Sequence, residues 1–291
     1  MKNITFTVTA ILLCLTLFGQ ADTTEVTKGS DTIRIGGMVI IKRGDGNEGR
    51  RHATITIGNR KKRKHSNIST AHWILDLGFA NYTDKTDYAA AMARKYVIAG
   101  SPALGENDFK LKTSKSSNVN IWIFMQRINL VKQYVNLKYG LGVELNNYRF
   151  KSPISFKEGG TNPFDHSENI PHPFVFRDSI SFSKNKLSAD YATIPFMINF
   201  RTNPDYDKKG LSLSAGISVG YLYSSRNKQI SNERGKHKNR GDYDVQKWKF
   251  AYIAELGLGP ARLYGSYSPK SIFENGFDMR PYSVGIRFSN W

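Results

Sequence analysis

Between Val135 and Leu145 the chain alternates without a break. Val135, Leu137, Tyr139, Leu141, Val143 and Leu145 are apolar or aromatic, whereas the intervening Asn136, Lys138, Gly140, Gly142 and Glu144 are polar, charged or glycine. Successive side chains of a strand point to opposite faces, so this segment is a ribbon with one apolar and one polar face. The pattern returns from Leu211 to Tyr223, with Ser212, Ser214, Gly216, Ser218 and Gly220 on the polar face, and again from Trp248 to Leu258. A chain built from such ribbons is confined to all-β folds in which every strand has an apolar side to cover.

The N-terminus indicates what covers it. Lys2 supplies a positive start, Ile4 to Phe18 an apolar core, and Gly19, Gln20 and Ala21 a small-x-small cleavage site. Residues 1–21 therefore read as a signal peptide, with the mature chain beginning near Asp22. The apolar run falls short of the roughly 18 residues a spanning helix needs. Cys14, the only cysteine, lies inside that run, so the mature chain is expected to hold no disulfide and no thiolate metal site. Two-faced strands behind an export signal point to a barrel in an outer membrane, with the apolar faces turned to lipid.

Eight strands can be marked, at 72–81, 117–130, 134–148, 187–201, 211–225, 246–258, 261–268 and 280–290. Most have the roughly 9–11 residues that cross a bilayer when tilted. Two break the pattern. Ile121, Trp122, Ile123, Phe124 and Met125 are apolar on both faces, and the strand through Thr193, Ile194 and Pro195 changes phase, which suggests a β-bulge beside the proline. The connections at 82–116, 149–186 and 226–245 are long, that at 269–279 is moderate, and those at 131–133, 202–210 and 259–260 are short. This strict alternation is expected of a barrel with long external loops, short periplasmic turns and both termini in the periplasm. The predicted fold is an all-β, eight-stranded antiparallel transmembrane β-barrel over residues 72–291. Residues 22–71 form a basic periplasmic segment ahead of it, with an expected hairpin about Gly36 and Gly37. Tyr88 to Arg94, in the first long loop, reads as a short helix.

Phase also sorts the charges. Asp76, Lys138, Glu144, Lys249, Glu255, Arg262 and Arg287 fall on inward positions. Eight strands enclose an interior just wide enough for side chains to fill, so these groups are expected to pair as a structural charge network in a plugged lumen. The alternative is a narrow passive pore for small solutes lined by the same residues. Trp73, Tyr82, Tyr148, Tyr223, Trp248 and Tyr282, near strand ends, suit interfacial girdles. The formal net charge of +18 favours polyanions. For an exported chain these are outer-membrane lipid and lipopolysaccharide or acidic glycans, with no nucleic acid. Much of the charge sits in Arg60 to Lys64 and Arg226 to Arg240, read as solvated loops. The six histidines have no metal-site spacing, and Asp165, His166 and Ser167 are adjacent in sequence, which is not what a triad needs. No cofactor, no metal and no catalytic residue is expected. A lipid-modifying barrel enzyme is the second alternative.

Several short stretches resemble the PorT-like outer-membrane β-barrel family of Gram-negative bacteria, often labelled "porin family". They are Asp31 to Ile35, Gln126 to Leu130, Tyr139 to Gly142 followed by Asn146, Asn147 and Tyr148, and Ile194 with Pro195. The resemblance covers most of residues 72–291. It implies the cell outer membrane as location, an eight-stranded barrel, and, since some relatives take part in protein secretion, an accessory role with a secretion-machinery or surface partner. It carries over no catalytic residue.

Overall fold

A computed structural model of the chain describes residues 31–35, 38–42, 54–56, 66–100, 102–203, 210–259 and 261–289. The expected signal peptide and the Arg60 to Lys64 cluster lie outside the described residues. The chain divides into two compact units, residues 1–64 and 65–291. In the first, β1 (Asp31–Ile35) pairs antiparallel with β2 (Met38–Lys42), which pairs with β3 (Thr54–Thr56). The hairpin expected about Gly36 and Gly37 is thus one side of a three-stranded sheet.

The second unit runs β4 (Ile68–Asp84), α1 (Tyr88–Ala93), β5 (Ser117–Val131), β6 (Val135–Arg149), β7 (Ile154–Lys157), β8 (Gly160–Thr161), β9 (Asn169–Ile170), β10 (Phe174–Arg177), β11 (Lys184–Arg201), β12 (Leu211–Ser231), β13 (Gly235–Arg240), β14 (Trp248–Leu258), β15 (Ala261–Tyr267) and β16 (Met279–Phe288). Eight of these strands pair antiparallel in the order β11, β6, β5, β4, β16, β15, β14, β12. The β11–β12 pairing returns the last to the first, so the sheet closes into a ring. β13 is an additional strand on β12. The Asp87 carboxylate caps α1 by accepting from the Ala90 N–H at 3.0 Å.

The ring is apolar outside. Leu77, Phe79, Phe196, Ile198, Phe200, Leu213, Ile217, Phe250, Leu263, Val284, Ile286 and Phe288 are all exposed, on every side of the sheet. A continuous apolar belt of this extent does not persist against water, and it is the reverse of a soluble ligand-binding barrel, whose apolar face points inward. Aromatic residues border the belt. Trp73 is 74% exposed near the turn end, and Tyr221 and Trp248 meet edge-on near the loop end, ring centroids 5.0 Å apart. Tyr148 and Tyr82 are not girdle residues. They turn inward and pack together, 6.0 Å between centroids, in a core described below.

The two irregular strands resolve differently. β5 carries a bulge between Trp122 and Phe124 that leaves Ile123 unpaired and exposed. The extra residue lets both Trp122 and Met125 face inward, where they are buried beside Ile74. Room for them comes from Gly142 and Gly140 on β6, directly opposite. A Cβ on Gly142 would lie 2.5 Å from the Ile121 carbonyl oxygen and 2.7 Å from the Trp122 ring. Gly142→Ala is therefore expected to cost about 1–3 kcal/mol. This is checked by the temperature at which the folded band disappears in detergent gels, and an unchanged temperature would contradict it.

The slip expected beside Pro195 is absent, because β11 stays in register with β12 through Thr193, Ile194 and Pro195. The bulge lies between Asp190 and Tyr191, on the β12 side, where Tyr223 is the extra residue. What changes along β11 is the environment and not the backbone phase. Leu187, Ala189 and Tyr191 face an apolar interior, while Ile194, Phe196 and Ile198 face the outer belt.

Candidate functional site

The inside of the ring is filled in three layers. At the turn end lie Asn136, Asn199 and Ser214, all buried, with Asn199 donating to the Ser214 hydroxyl at 3.0 Å. In the middle lies a charge network. At the loop end lies an aromatic core.

The structure brings the seven predicted lumen charges together. Glu255 on β14 is 1% exposed and accepts from Lys138 at 2.7 Å, Arg262 at 3.0 Å and Arg287 at 2.5 Å. Lys138 reaches it from β6, across the lumen. Arg287 forks onto Asp76, its cross-strand neighbour, through two bonds of 2.7 Å. Asp76 also accepts from the Trp122 indole at 2.8 Å and from Asn120 at 3.2 Å. A second transverse pair joins Lys249 of β14 to Glu144 of β6, and Asn146 donates to Glu144 at 3.1 Å. Asn118 bonds to both Asn146 and Asn120 and so links the two clusters. The Arg287 guanidinium lies over the Trp122 ring, 5.6 Å from its centroid. Buried ions are tolerated only when paired and hydrogen-bonded, and each of the three carboxylates here has at least two donors. The cavity among Trp122, Glu144, Tyr264 and Arg287 measures about 30 Å³, room for about one water.

Sequence reasoning missed the loop-end layer. Phe109, Phe150, Phe156, Phe273 and Phe277, from three different loops, are buried together with Tyr148, Tyr191 and Tyr243. Phe109 meets Phe277 at 5.3 Å, and Phe156 stacks on Phe273 at 6.2 Å. The loops are thus folded structures. Residues 150–183 form the β7–β10 hairpin, and Val97 bridges to Val175. The available signal was the density of phenylalanine in stretches otherwise polar.

The basic stretch from Arg226 to Arg240 is likewise no loop. β12 continues to Ser231, turns and returns as β13, in the register Arg226 with Arg240 and Lys228 with Lys238. Asn185 and Gln229, on the inner face of this extension, donate to the Ile154 carbonyl at 2.6 and 3.3 Å. Its outer face carries the cations. Arg226 pairs with Asp190 at 2.8 Å. Charge at every second residue (Arg226 and Lys228, then Lys236, Lys238 and Arg240) is strand periodicity written in lysine and arginine.

Residues 68–273 match the family described as "Outer membrane protein beta-barrel domain". No curated protein matches the chain. Among solved structures, that of Ail, the attachment invasion locus protein of Yersinia pestis, is similar at 12% identity and a TM-score of 0.30, over 75% of this chain and 98% of that one. A triple mutant of the Rhodopseudomonas blastica porin is similar at 10% identity and a TM-score of 0.17, over 77% of this chain and 100% of that one.

Proposed function

The chain belongs to the outer-membrane β-barrel domain family, and from that premise we propose that it is a closed barrel of the outer membrane that works through its outer surface, not through its bore. Its role is structural or surface-binding, with outer-membrane lipid and lipopolysaccharide as contacts, or accessory to secretion through a protein partner, as the PorT-like resemblance suggests. Catalysis is not part of this reading.

The observation that supports it is the filled lumen. The cross-lumen pairs Lys138 with Glu255 and Glu144 with Lys249 obstruct the middle, and the aromatic core covers the loop end. An ion passing through would have to break several charge-assisted bonds in a medium of low polarizability, where each is strong. Planar-bilayer recording of the purified protein is the test. No steady channel is expected at physiological salt, and a reproducible open-state conductance would favour the pore reading instead. Glu255→Ala gives a positive control: removing the anion that holds three cations is expected to produce noisy, transient openings.

A further inference from the structure

Like charges face one another on the outward side of the sheet extension. Lys186 of β11 lies opposite Lys228 of β12, which lies opposite Lys238 of β13. One row nearer the membrane, Arg226 lies opposite Arg240. Like charges directly across a sheet destabilise it. Burial, then Lys184, Lys228 and Arg226, pull the Lys186 ammonium down to about 8, and Lys184 is the largest cause lowering Lys228. Asp190 is the carboxylate paired with this face among the described residues; Glu233 sits in the tip of the hairpin. A fold that aligns cations this way gains from an external anion.

The position says which anion. The rows begin directly beyond Tyr221, Tyr223 and Trp248, which end the apolar belt. Between them is an open cleft of about 480 Å³ with Leu145 and Tyr223 on its walls and Arg226 and Arg240 at its rim. An apolar wall next to lipid, with cations just above, suits an amphiphile whose phosphates sit at the head of acyl chains.

We propose that the outward face of β11, β12 and β13 is a binding site for the phosphates of outer-leaflet lipopolysaccharide, with Lys186, Lys228 and Lys238 as one phosphate row and Arg226 with Arg240 as the other. The site deepens the surface-binding reading above and rests on it. Lys238 is exposed, Lys228 is half-buried, and Lys186 is half-buried and donates to the Asn147 side-chain oxygen, so the row meets a phosphate by charge and hydrogen bonding from its Lys238 end. The arginine pair offers planar forks at the depth of the glycolipid backbone.

The test uses the purified full chain refolded in detergent. Binding of lipopolysaccharide and of the same lipid stripped of phosphate is measured for the wild type, for Lys186→Gln/Lys228→Gln/Lys238→Gln, and for a control, Lys110→Gln/Lys115→Gln, on exposed loop lysines. The row variant is expected to lose about tenfold or more in affinity for the phosphorylated lipid. It should keep the wild-type gel shift, since relieving like-charge repulsion does not unfold the sheet. The control and the dephosphorylated lipid should show no such difference between proteins. Wild-type affinity in the row variant would overturn the site while leaving surface binding intact. Absence of phosphate-dependent binding by the wild type would overturn the surface-binding reading itself. Equal displacement of the lipid by a sulfated polysaccharide would assign the face to an acidic glycan and overturn the lipid assignment.

Discussion

Glu255→Gln is expected to be the most destabilising single replacement of a polar side chain in the barrel. The variant keeps the shape of the residue but removes the charge that Lys138, Arg262 and Arg287 share. Arg287 retains Asp76, whereas Lys138 and Arg262 lose the carboxylate they share. Breaking a buried pair from one side costs about 3–5 kcal/mol, because the other charge stays behind without compensation. Detergent-resistant barrels report this as a fall in the temperature at which the compact gel band converts to the unfolded one. Glu144→Gln, which removes the partner of Lys249 alone, should shift it less. Adding Lys138→Met to Glu255→Gln should recover part of the loss, since methionine has similar length and no charge. Contacting residues are coupled and their effects do not add, so the double variant should lie above the sum of the two single losses. A melting temperature for Glu255→Gln equal to that of the wild type would mean that this network does not hold the barrel.

How far the sequence carries depends on the range of the interaction that decides each feature. Lipid sees one face of each strand, so the outward set Leu77, Phe79, Phe196, Leu213, Phe250 and Ile286 is written locally, two residues at a time. Which side Asp76 or Lys138 takes follows from the same count. Which carboxylate each cation meets does not, because Lys138 and Glu255 come together only through the stagger of strands 117 residues apart. The aromatic core at the loop end is further still from local pattern. Phe109, Phe150 and Phe273 belong to separate loops, and nothing near any of them marks the others. The same long-range core explains the misplaced slip in β11, since Leu187 and Tyr191 changed the apolar side without changing the backbone. It also explains Tyr148, which has a girdle's position in the strand but faces inward. The hairpin of β12 and β13 was hidden for a different reason: its strand periodicity is carried by charge, and a basic run is usually solvated.

Labelling topology is the second large effect, because its outcome is nearly all or none. β5 and β6 are joined through Lys132 and Gln133, both at positive φ in a tight turn, while β12 and β13 project from the other end of the ring. Short turns belong in the periplasm and long connections outside, so Lys132 and Lys236 should lie on opposite sides of the membrane. Both are exposed, which makes them better reporters than Ser231, a residue of the same hairpin that is buried and bonded to the Arg234 N–H at 3.0 Å. Cys14 is the chain's only cysteine and falls in the expected signal peptide, so single cysteines at 132 and 236 should report without background. An impermeant maleimide on intact cells is expected to label Lys236→Cys fully and Lys132→Cys only after the outer membrane is opened. The reverse pattern would put the basic hairpin in the periplasm, away from lipopolysaccharide, and would remove the phosphate site along with the surface role. Equal labelling of both in intact cells would show that the ring does not separate the two compartments at all.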